Sequence, residues 1–548
     1  MPRQPQGTGL GASRSLVGDQ PTRYAVGVTT SRAIHVGPLR EHHLLYLGGF
    51  VAAVGLGLFT AINPALGLGM FFGLAAIAGF SRSGTFAVCA FTTTIYFERL
   101  GDYTGTALSP IKLAGGALII VALLSLALRN RPGVAAPPRP AWRGHPIVIA
   151  SIACFVLWAL ASAAWATNVG QVQSLGMRMT TDVLVFLAVG VFLVRRAQFT
   201  ALAWTMLLAA TASILLGQLF GFNLFERAIG LFTDPNDLAA ALSPAAAFGF
   251  ALVQTARHRW QQALALACMA VCIYGVLITQ SRGGLLSLAV VATAIVLTSR
   301  GRERLRMVGG VLVIAALGTM FVTLAPQGQG LLQRLTHTDS SGRTDLWRVA
   351  IKQYQDHPVR GVGLGNYPVL SRRYLTPDVR HTELFVSLPR TTHNTTLEIL
   401  AELGTVGFVF FYSFLLGCVG IAWRGVRLAR KAADPQLVAI GRGVFVATLS
   451  AVSSGIFLSA QYEELLWIML AAGLGFHACV LRSLRDGSPD PAAGGSVAGV
   501  GAGFLAGGAS PGVTSGSAFG VSSTGGSGVT SGSALGVASD SGPGITPG

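Results

Sequence analysis

Residues 262–299 read QALALACMAVCIYGVLITQSRGGLLSLAVVATAIVLTS: two apolar runs, 262–280 and 283–299, separated only by the turn around Ser281-Arg282. Each run is close to the roughly 20 residues that a helix needs to cross a bilayer. The pair therefore reads as two membrane helices with a charged turn at one face. Working outward, further runs lie near 43–62, 65–80, 84–97, 109–128, 146–165, 181–194, 199–218, 237–256, 307–325, 403–423, 437–459 and 464–481. The total is about fourteen, with 84–97 short for a span. Of the 548 residues 51% are hydrophobic and 11% charged, against roughly 25% charged in an average soluble domain. An ordinary soluble enzyme is excluded. The expected fold is an all-α integral membrane protein, a polytopic bundle of about 12–14 transmembrane helices with one large loop outside the membrane.

Orientation follows from the short loops, because Lys and Arg near the ends of membrane helices stay in the cytoplasm. Arg129, Arg131, Arg139 and Arg143 form one basic cluster; Arg195 with Arg196, Arg257 with Arg259, 300–306, 424–431, and Arg482 with Arg485 form the others. All six fall on one side if the helices alternate. The excess of 39 Lys and Arg over 22 Asp and Glu is thereby largely a matter of topology and does not point to nucleic acid. Residues 1–42 are polar, basic and without an apolar h-region, so they read as a cytoplasmic arm and not as a cleaved signal. The polytopic domain spans 43–481. From 482 to 548 the chain is a Gly/Ser-rich tail in which GVTSGSAFGV (512–521) recurs as GVTSGSALGV (528–537), a disordered composition that cannot bury a core. Cys89, Cys154, Cys268, Cys272, Cys418 and Cys479 all sit in apolar runs without metal-ligand spacing. They read as small core residues, neither disulfide-bonded nor zinc-bound.

The opposite face receives the loops 166–180, 219–236 and 326–393, the turn at Ser281-Arg282, and Gln461–Glu463. Loop 326–393 is too long for a plain connection and carries nine Lys and Arg against five acids, which suggests an anionic ligand; it is also long enough to escape the charge rule and be a solvated cap. Arg282 is the first functional candidate. An arginine between two apolar helices is costly to bury and usually has an anionic partner or a wet cavity, and its fork suits two phosphate oxygens while Gly283 and Gly284 admit a ligand to the backbone. The alternative is an interfacial arginine that snorkels to headgroups. In Asp234-Pro235-Asn236-Asp237, Asn236 or Asp237 can cap the next helix, with a ligand-facing role second.

Within the long loop, Arg343, Arg348 and Arg360 with Trp347 among them would hold a pyrophosphate or stack on a sugar, or are simply solvated charge. Gly361-Val362-Gly363-Leu364-Gly365-Asn366 lacks a preceding strand and alone is only a turn. His393 stands where the loop meets a helix, and an imidazole accepts a proton near neutral pH, as activation of a sugar hydroxyl requires; helix capping is the other reading. Glu402 lies nine residues on, about 13 Å along the helix, too far to touch it. It reads as part of a buried network near Gly404 and Gly407, whose missing side chains permit close helix packing.

These stretches carry a resemblance. Gly230–Ala239 (GLFTDPNDLA), Ser281-Arg282-Gly283-Gly284-Leu285-Leu286 with its Arg-x-x-x-Leu element, Arg343 to Trp347 leading to Gly361–Asn366, and His393-Asn394 followed after nine residues by Gly404-x-x-Gly407 resemble the O-antigen ligase and polymerase family of bacterial polysaccharide assembly, over about 181–481. The resemblance implies an inner-membrane glycosyltransferase that takes a glycan from undecaprenyl pyrophosphate at the periplasmic face and passes it to an acceptor hydroxyl. That acceptor would be lipid A core or a growing glycan, and no metal ion or cofactor would take part. By the same resemblance Arg282 would bind the pyrophosphate, Arg343 and Arg360 would be further phosphate ligands, and His393 would activate or orient the acceptor hydroxyl. Asn394 would support His393, with Glu402, Asn236 and Ser281 as supporting residues. The sequence has no HExxH, no outward acidic metal cluster and no Walker loop. A family member of this kind would be a ligase, with a polymerase close behind and a transferase onto protein as a third alternative. A flippase or transporter is the rival from another class, disfavoured by the lack of paired halves with broken helices; a scaffold would leave Arg282 and His393 replaceable.

Overall fold

The computed structural model describes residues 83–99, 109–128, 139–224, 226–336, 342–377, 379, 381–386 and 390–485. The expected spans 43–62 and 65–80, the arm 1–42, His337 and the tail beyond Arg485 lie outside them. The helices are α1 (Gly84–Ile95), α2 (Pro110–Ala127), α3 (Pro146–Ala161), α4 (Val169–Phe192), α5 (Arg196–Leu219), α6 (Pro235–Thr255), α7 (Arg259–Ile278), α8 (Arg282–Thr298), α9 (Gly301–Leu324), α10 (Pro326–Thr336), α11 (Arg343–Asp356), α12 (Thr395–Lys431), α13 (Pro435–Ser454) and α14 (Glu464–Arg485). A two-residue hairpin, β1 (Asn223–Leu224) and β2 (Arg227–Ala228), is the described sheet. By length and composition ten of the helices can cross a membrane, and α1 and α8 are shorter apolar helices. The fold is all-α and polytopic.

Three helices form the centre. The apolar windows of α13 and α14 have 78% of their residues buried and that of α6 has 72%, whereas that of α9 has none. Small residues allow this: Gly443 meets Ala251 of α6 and Gly441 meets the Phe476 ring of α14, an approach that lets dispersion forces hold helices together where lipid supplies no hydrophobic drive. Trp467 of α14 stacks on Phe414 at 5.6 Å between ring centres. At one end the basic loops meet: Arg196 pairs with Asp434, Arg430 donates to the Thr298 carbonyl, Arg442 holds Glu303 and Ser299, and Arg482 donates to the Arg139 carbonyl at 2.9 Å.

Several expectations are corrected. Residues 169–180, read as loop, are the first turns of α4, because Val172, Gly176 and Met179 recur at helical spacing on a buried face while the polar residues face outward. The expected span 403–423 starts where the helix does after a break at Gly404, but it runs on to Lys431, and further helical turns precede it from Thr395. Segment 326–393 is no open loop: it contains α10 and α11, and Leu346, Val349, Ala350, Tyr367 and Phe385 form a second small core. The six cysteines are free, but Cys154 is exposed on its helix and is not a core residue. Helix α14 continues through Arg482 to Arg485, into the stretch assigned to the tail.

Helix α12 is broken. Gly404 has φ 66° and ψ −168°, outside helical geometry. A side chain there would collide with the Val359 carbonyl. The polar groups freed by the break are taken up by the glycine-rich loop: Thr405 N–H donates to the Pro358 carbonyl at 2.8 Å, Val362 N–H to Ala401 at 3.0 Å, and Gly363 N–H to Glu402 at 2.7 Å. Trp158 donates to the Leu403 carbonyl at 2.9 Å. Buried backbone groups must be paired, so the loop and the break require each other. The 361–366 stretch is thus more than a turn, and Gly404 serves a break in the helix as well as close packing.

Candidate functional site

Opposite the basic loops, the turn between α7 and α8 is held tightly. Ser281 caps α8, accepting from Gly284 N–H at 3.2 Å, and donates to the Asn236 carboxamide oxygen at 2.8 Å. That oxygen also accepts from Arg227 at 3.1 Å, while Arg227 donates to the Thr279 carbonyl at 2.8 Å. Asp234 caps α6, its carboxylate accepting from the backbone N–H of Asn236 at 2.6 Å. The capping expected of Asn236 or Asp237 therefore falls to Asp234, and Asn236 instead joins the two loops. Gly283 and Gly284 face Phe457 and Ala239, so they permit protein packing and not the ligand approach anticipated from the sequence.

Arg282 opens α8, half-buried, and its guanidinium donates to the Arg334 carbonyl at the end of α10. Arg343, the first residue of α11, lies over the Phe457 ring at 5.9 Å. Burial and the neighbouring charges of Arg282 and Arg334 hold its pKa below the usual arginine value, with Asp234 and Asp237 opposing. Burial and Arg334 likewise bring Arg227 down to about 10, so it remains charged at neutral pH. Arg227, Arg282, Arg334 and Arg343 thus converge on one region, where Asp234 and Asp237 offset part of their charge, and the excess of positive charge favours an anion.

His393 belongs to the same region. Its backbone is left-handed, φ 48°, a conformation uncommon outside glycine and stored where the surroundings dictate it. Its ring makes no hydrogen bond among the described residues. Burial first, then the Arg343 and Arg390 charges, pull its pKa down to about 4 against the opposing pull of Asp234. The imidazole is therefore neutral at physiological pH and keeps an acceptor nitrogen. The capping role weighed for His393 belongs to Asn394, whose side-chain oxygen accepts from Leu397 N–H at 2.9 Å and whose amide donates to the Ile456 carbonyl at 3.0 Å.

The remaining expected residues sit elsewhere. Arg360 is exposed and lies over Trp165 at 5.9 Å, beside the Gly404 break and at the far end of the 395–403 segment from His393. Glu402 is buried and accepts from Tyr367 N–H at 3.3 Å, inside the loop that fills the break. Sequence reasoning missed Arg227, although it stands in the 219–236 loop, on the same expected face as Arg343, and the rule that singled out Arg343 applies to it equally. It also missed Glu398, a buried acid one turn into α12, and Phe457, whose ring carries no sequence signal. Of the other loop histidines, His381 binds Asp345 at 3.0 Å and His357 ends α11. Among the described residues no group of three or more His, Cys, Asp or Glu side chains is placed to hold a metal ion.

The fold defines a multi-pass membrane protein whose unusual polar residues gather at one end. Residues 264–412 match the family model described as O-antigen ligase. Over that stretch, about a quarter of the chain, the protein is similar to the O-antigen ligase family. The matched span holds Arg282, Arg343, Arg360, His393, Asn394 and Glu402, and leaves Arg227 and Asn236 outside it. No curated protein matches the chain.

Proposed function

We propose that the protein is an inner-membrane glycosyltransferase that moves a glycan from undecaprenyl pyrophosphate to an acceptor hydroxyl of lipid A core at the periplasmic face, without a metal ion. The observation that carries this reading is the placement of the His393 ring, with no hydrogen-bond partner among the described residues, near Arg343, which stands beside Arg282 and Arg334. An anion held by the arginines is brought next to a base.

In the reaction so proposed, an acceptor hydroxyl loses its proton to a ring nitrogen of His393 as its oxygen attacks the anomeric carbon of the donor sugar. The bond from that carbon to the pyrophosphate oxygen breaks, and its electron pair leaves on the phosphate. Arg282 and Arg343 offset the developing charge, and donors already fixed in place stabilise it with little reorganisation. Asn394 and Ser281 hold the backbone of the two turns and Asn236 joins the Ser281 turn to Arg227, while Glu402 secures the break further along α12. Arg360 would meet a more distant part of the donor.

The test is transfer from a polyprenyl-pyrophosphate-linked glycan by purified protein in detergent containing EDTA, with lipid A core as the added acceptor. Product on lipid A core, lost in His393→Ala and Arg282→Ala, supports the ligase; lengthening of the donor glycan itself identifies a polymerase. Wild-type rates in both variants would refute the site, and donor crossing liposome membranes without transfer would make the protein a flippase.

A further inference from the structure

The ring of His393 is unpartnered among the described residues, yet both of its chain neighbours are bound on several sides. Thr392 is fully buried. Its hydroxyl donates to the Glu398 carboxylate at 3.0 Å, accepts from Asn394 N–H at 3.1 Å and lies 2.9 Å from the Asn394 carbonyl. Its carbonyl accepts the Trp347 indole N–H at 3.1 Å. One threonine therefore bridges the residues on either side of His393 and ties them to α11.

Glu398 supports this threonine from below. It is 1% exposed. One carboxylate oxygen accepts from both Thr392 and Ser459, and the other from Gln461 at 3.0 Å. Nearby, Thr395 N–H donates to the Gly455 and Leu458 carbonyls, and Ala460 N–H donates to the Thr395 hydroxyl at 2.9 Å. Burying a carboxylate is costly unless hydrogen bonds compensate it, and here the donors come from both sides of a junction between separate segments. A fold that needed only to anchor the helix would be served by the Thr395 contacts and the Asn394 cap. The additional buried acid is aimed at the residue that sets the His393 backbone.

We infer that Thr392 and Glu398 are positioning residues for His393, holding its left-handed backbone so that the imidazole faces the arginine cluster while its ring nitrogens are left for substrate. The inference rests on the proposed role of His393. It adds that Thr392 acts through its hydroxyl and Glu398 through that hydroxyl, and that neither touches the reacting atoms.

The experiment uses the full-length protein in detergent with two readouts. The first is deuterium exchange at the carbon between the ring nitrogens of His393, followed by mass spectrometry across pH, which reports its protonation midpoint without substrate. The second is glycan transfer from a polyprenyl-pyrophosphate-linked donor. In Thr392→Val and Glu398→Gln the His393 midpoint rises from about 4 toward the ordinary 6.5, and kcat falls by about tenfold or more as misplacement of a reacting group predicts. The donor KM stays within about twofold, since the arginines are untouched. Thr392→Ser, which keeps the hydroxyl, restores the midpoint and most of the rate. An unchanged midpoint in Thr392→Val and Glu398→Gln would overturn the inference, as would wild-type transfer by both alongside an inactive His393→Ala. If His393→Ala itself transfers at the wild-type rate, the catalytic reading fails instead, and the exchange midpoints alone decide whether the two residues position the ring.

Discussion

The indole nitrogen of Trp347 donates to the carbonyl oxygen of Thr392 at 3.1 Å, joining the helix that begins at Arg343 to the residue before His393. The same indole ring lies 6.2 Å from that of Phe457, over which Arg343 also sits. Replacing Trp347 by Phe removes the donor and keeps most of the ring. It leaves a carbonyl without its partner, at about 1–3 kcal/mol if no water reaches it. We expect a lower melting temperature in detergent and several-fold slower transfer, a smaller loss than in His393→Ala; an unchanged rate and melting temperature would show that this bond has no role.

The pH dependence has a defined sign. The pKa of His393 in the fold is about 4, below its ordinary 6.5, so the ring stays neutral until the pH drops through about 4 and only then loses its acceptor. On the proposed mechanism kcat/KM therefore falls on the acid side with a midpoint near 4, because this parameter reports the free enzyme. The limb for kcat lies higher, since bound pyrophosphate offsets the Arg343 charge. Stability moves the same way: the unfolded chain takes up the proton first, so this group contributes a loss of stability as pH falls from about 6.5 to about 4. Rate profiles under both saturating and limiting donor check the difference.

Arg343 can be tested through its neighbour. It is the second cause, after burial, of the low His393 value. Arg343→Gln should raise the exchange midpoint of His393 and raise the donor KM together. A higher KM with an unmoved midpoint would place Arg343 at the donor but out of reach of the imidazole.

Two glycines in the same helix should behave oppositely. Gly404→Ala places a side chain at φ 66° against the Val359 carbonyl; the strain alone costs about 1–3 kcal/mol, and the collision adds to it. Gly420, which has nothing within 4 Å of the position its Cβ would take, should tolerate alanine and gain up to about 1 kcal/mol in helix stability. Thermal unfolding followed by size-exclusion chromatography separates the two, and equal stability in both variants would contradict the break.

Much of this architecture is legible in the chain because the membrane imposes it. Length and apolarity locate α2, α3 and α5 to within a few residues, and the basic clusters mark the loops that meet around Arg196 and Asp434. Polar positions inside helices are less visible: Asn168 to Arg178 look like loop by composition, although their apolar members recur at helical spacing. For the candidate site, Arg282 and His393 stand out as charges or titratable groups at the ends of apolar runs. Arg227 could have been found by the same rule as Arg343, whereas Thr392, Glu398 and Phe457 could not, since their meaning lies in contacts between segments far apart in sequence. The glycines of 361–365 could be recognised as turn-formers, but not as the partners of a helix broken some forty residues later.

Helix α9 has no buried residue, and the Phe321 ring meets Tyr274 of α7 at 5.7 Å. Where α13 and α14 must keep shape residue by residue, the part of α9 beyond its first turn, the turn that carries Glu303 and its pairing with Arg442, need keep chiefly length and oiliness. It is accordingly the stretch in which a reporter cysteine or a block of leucines should be accepted with least disturbance to the rest of the molecule.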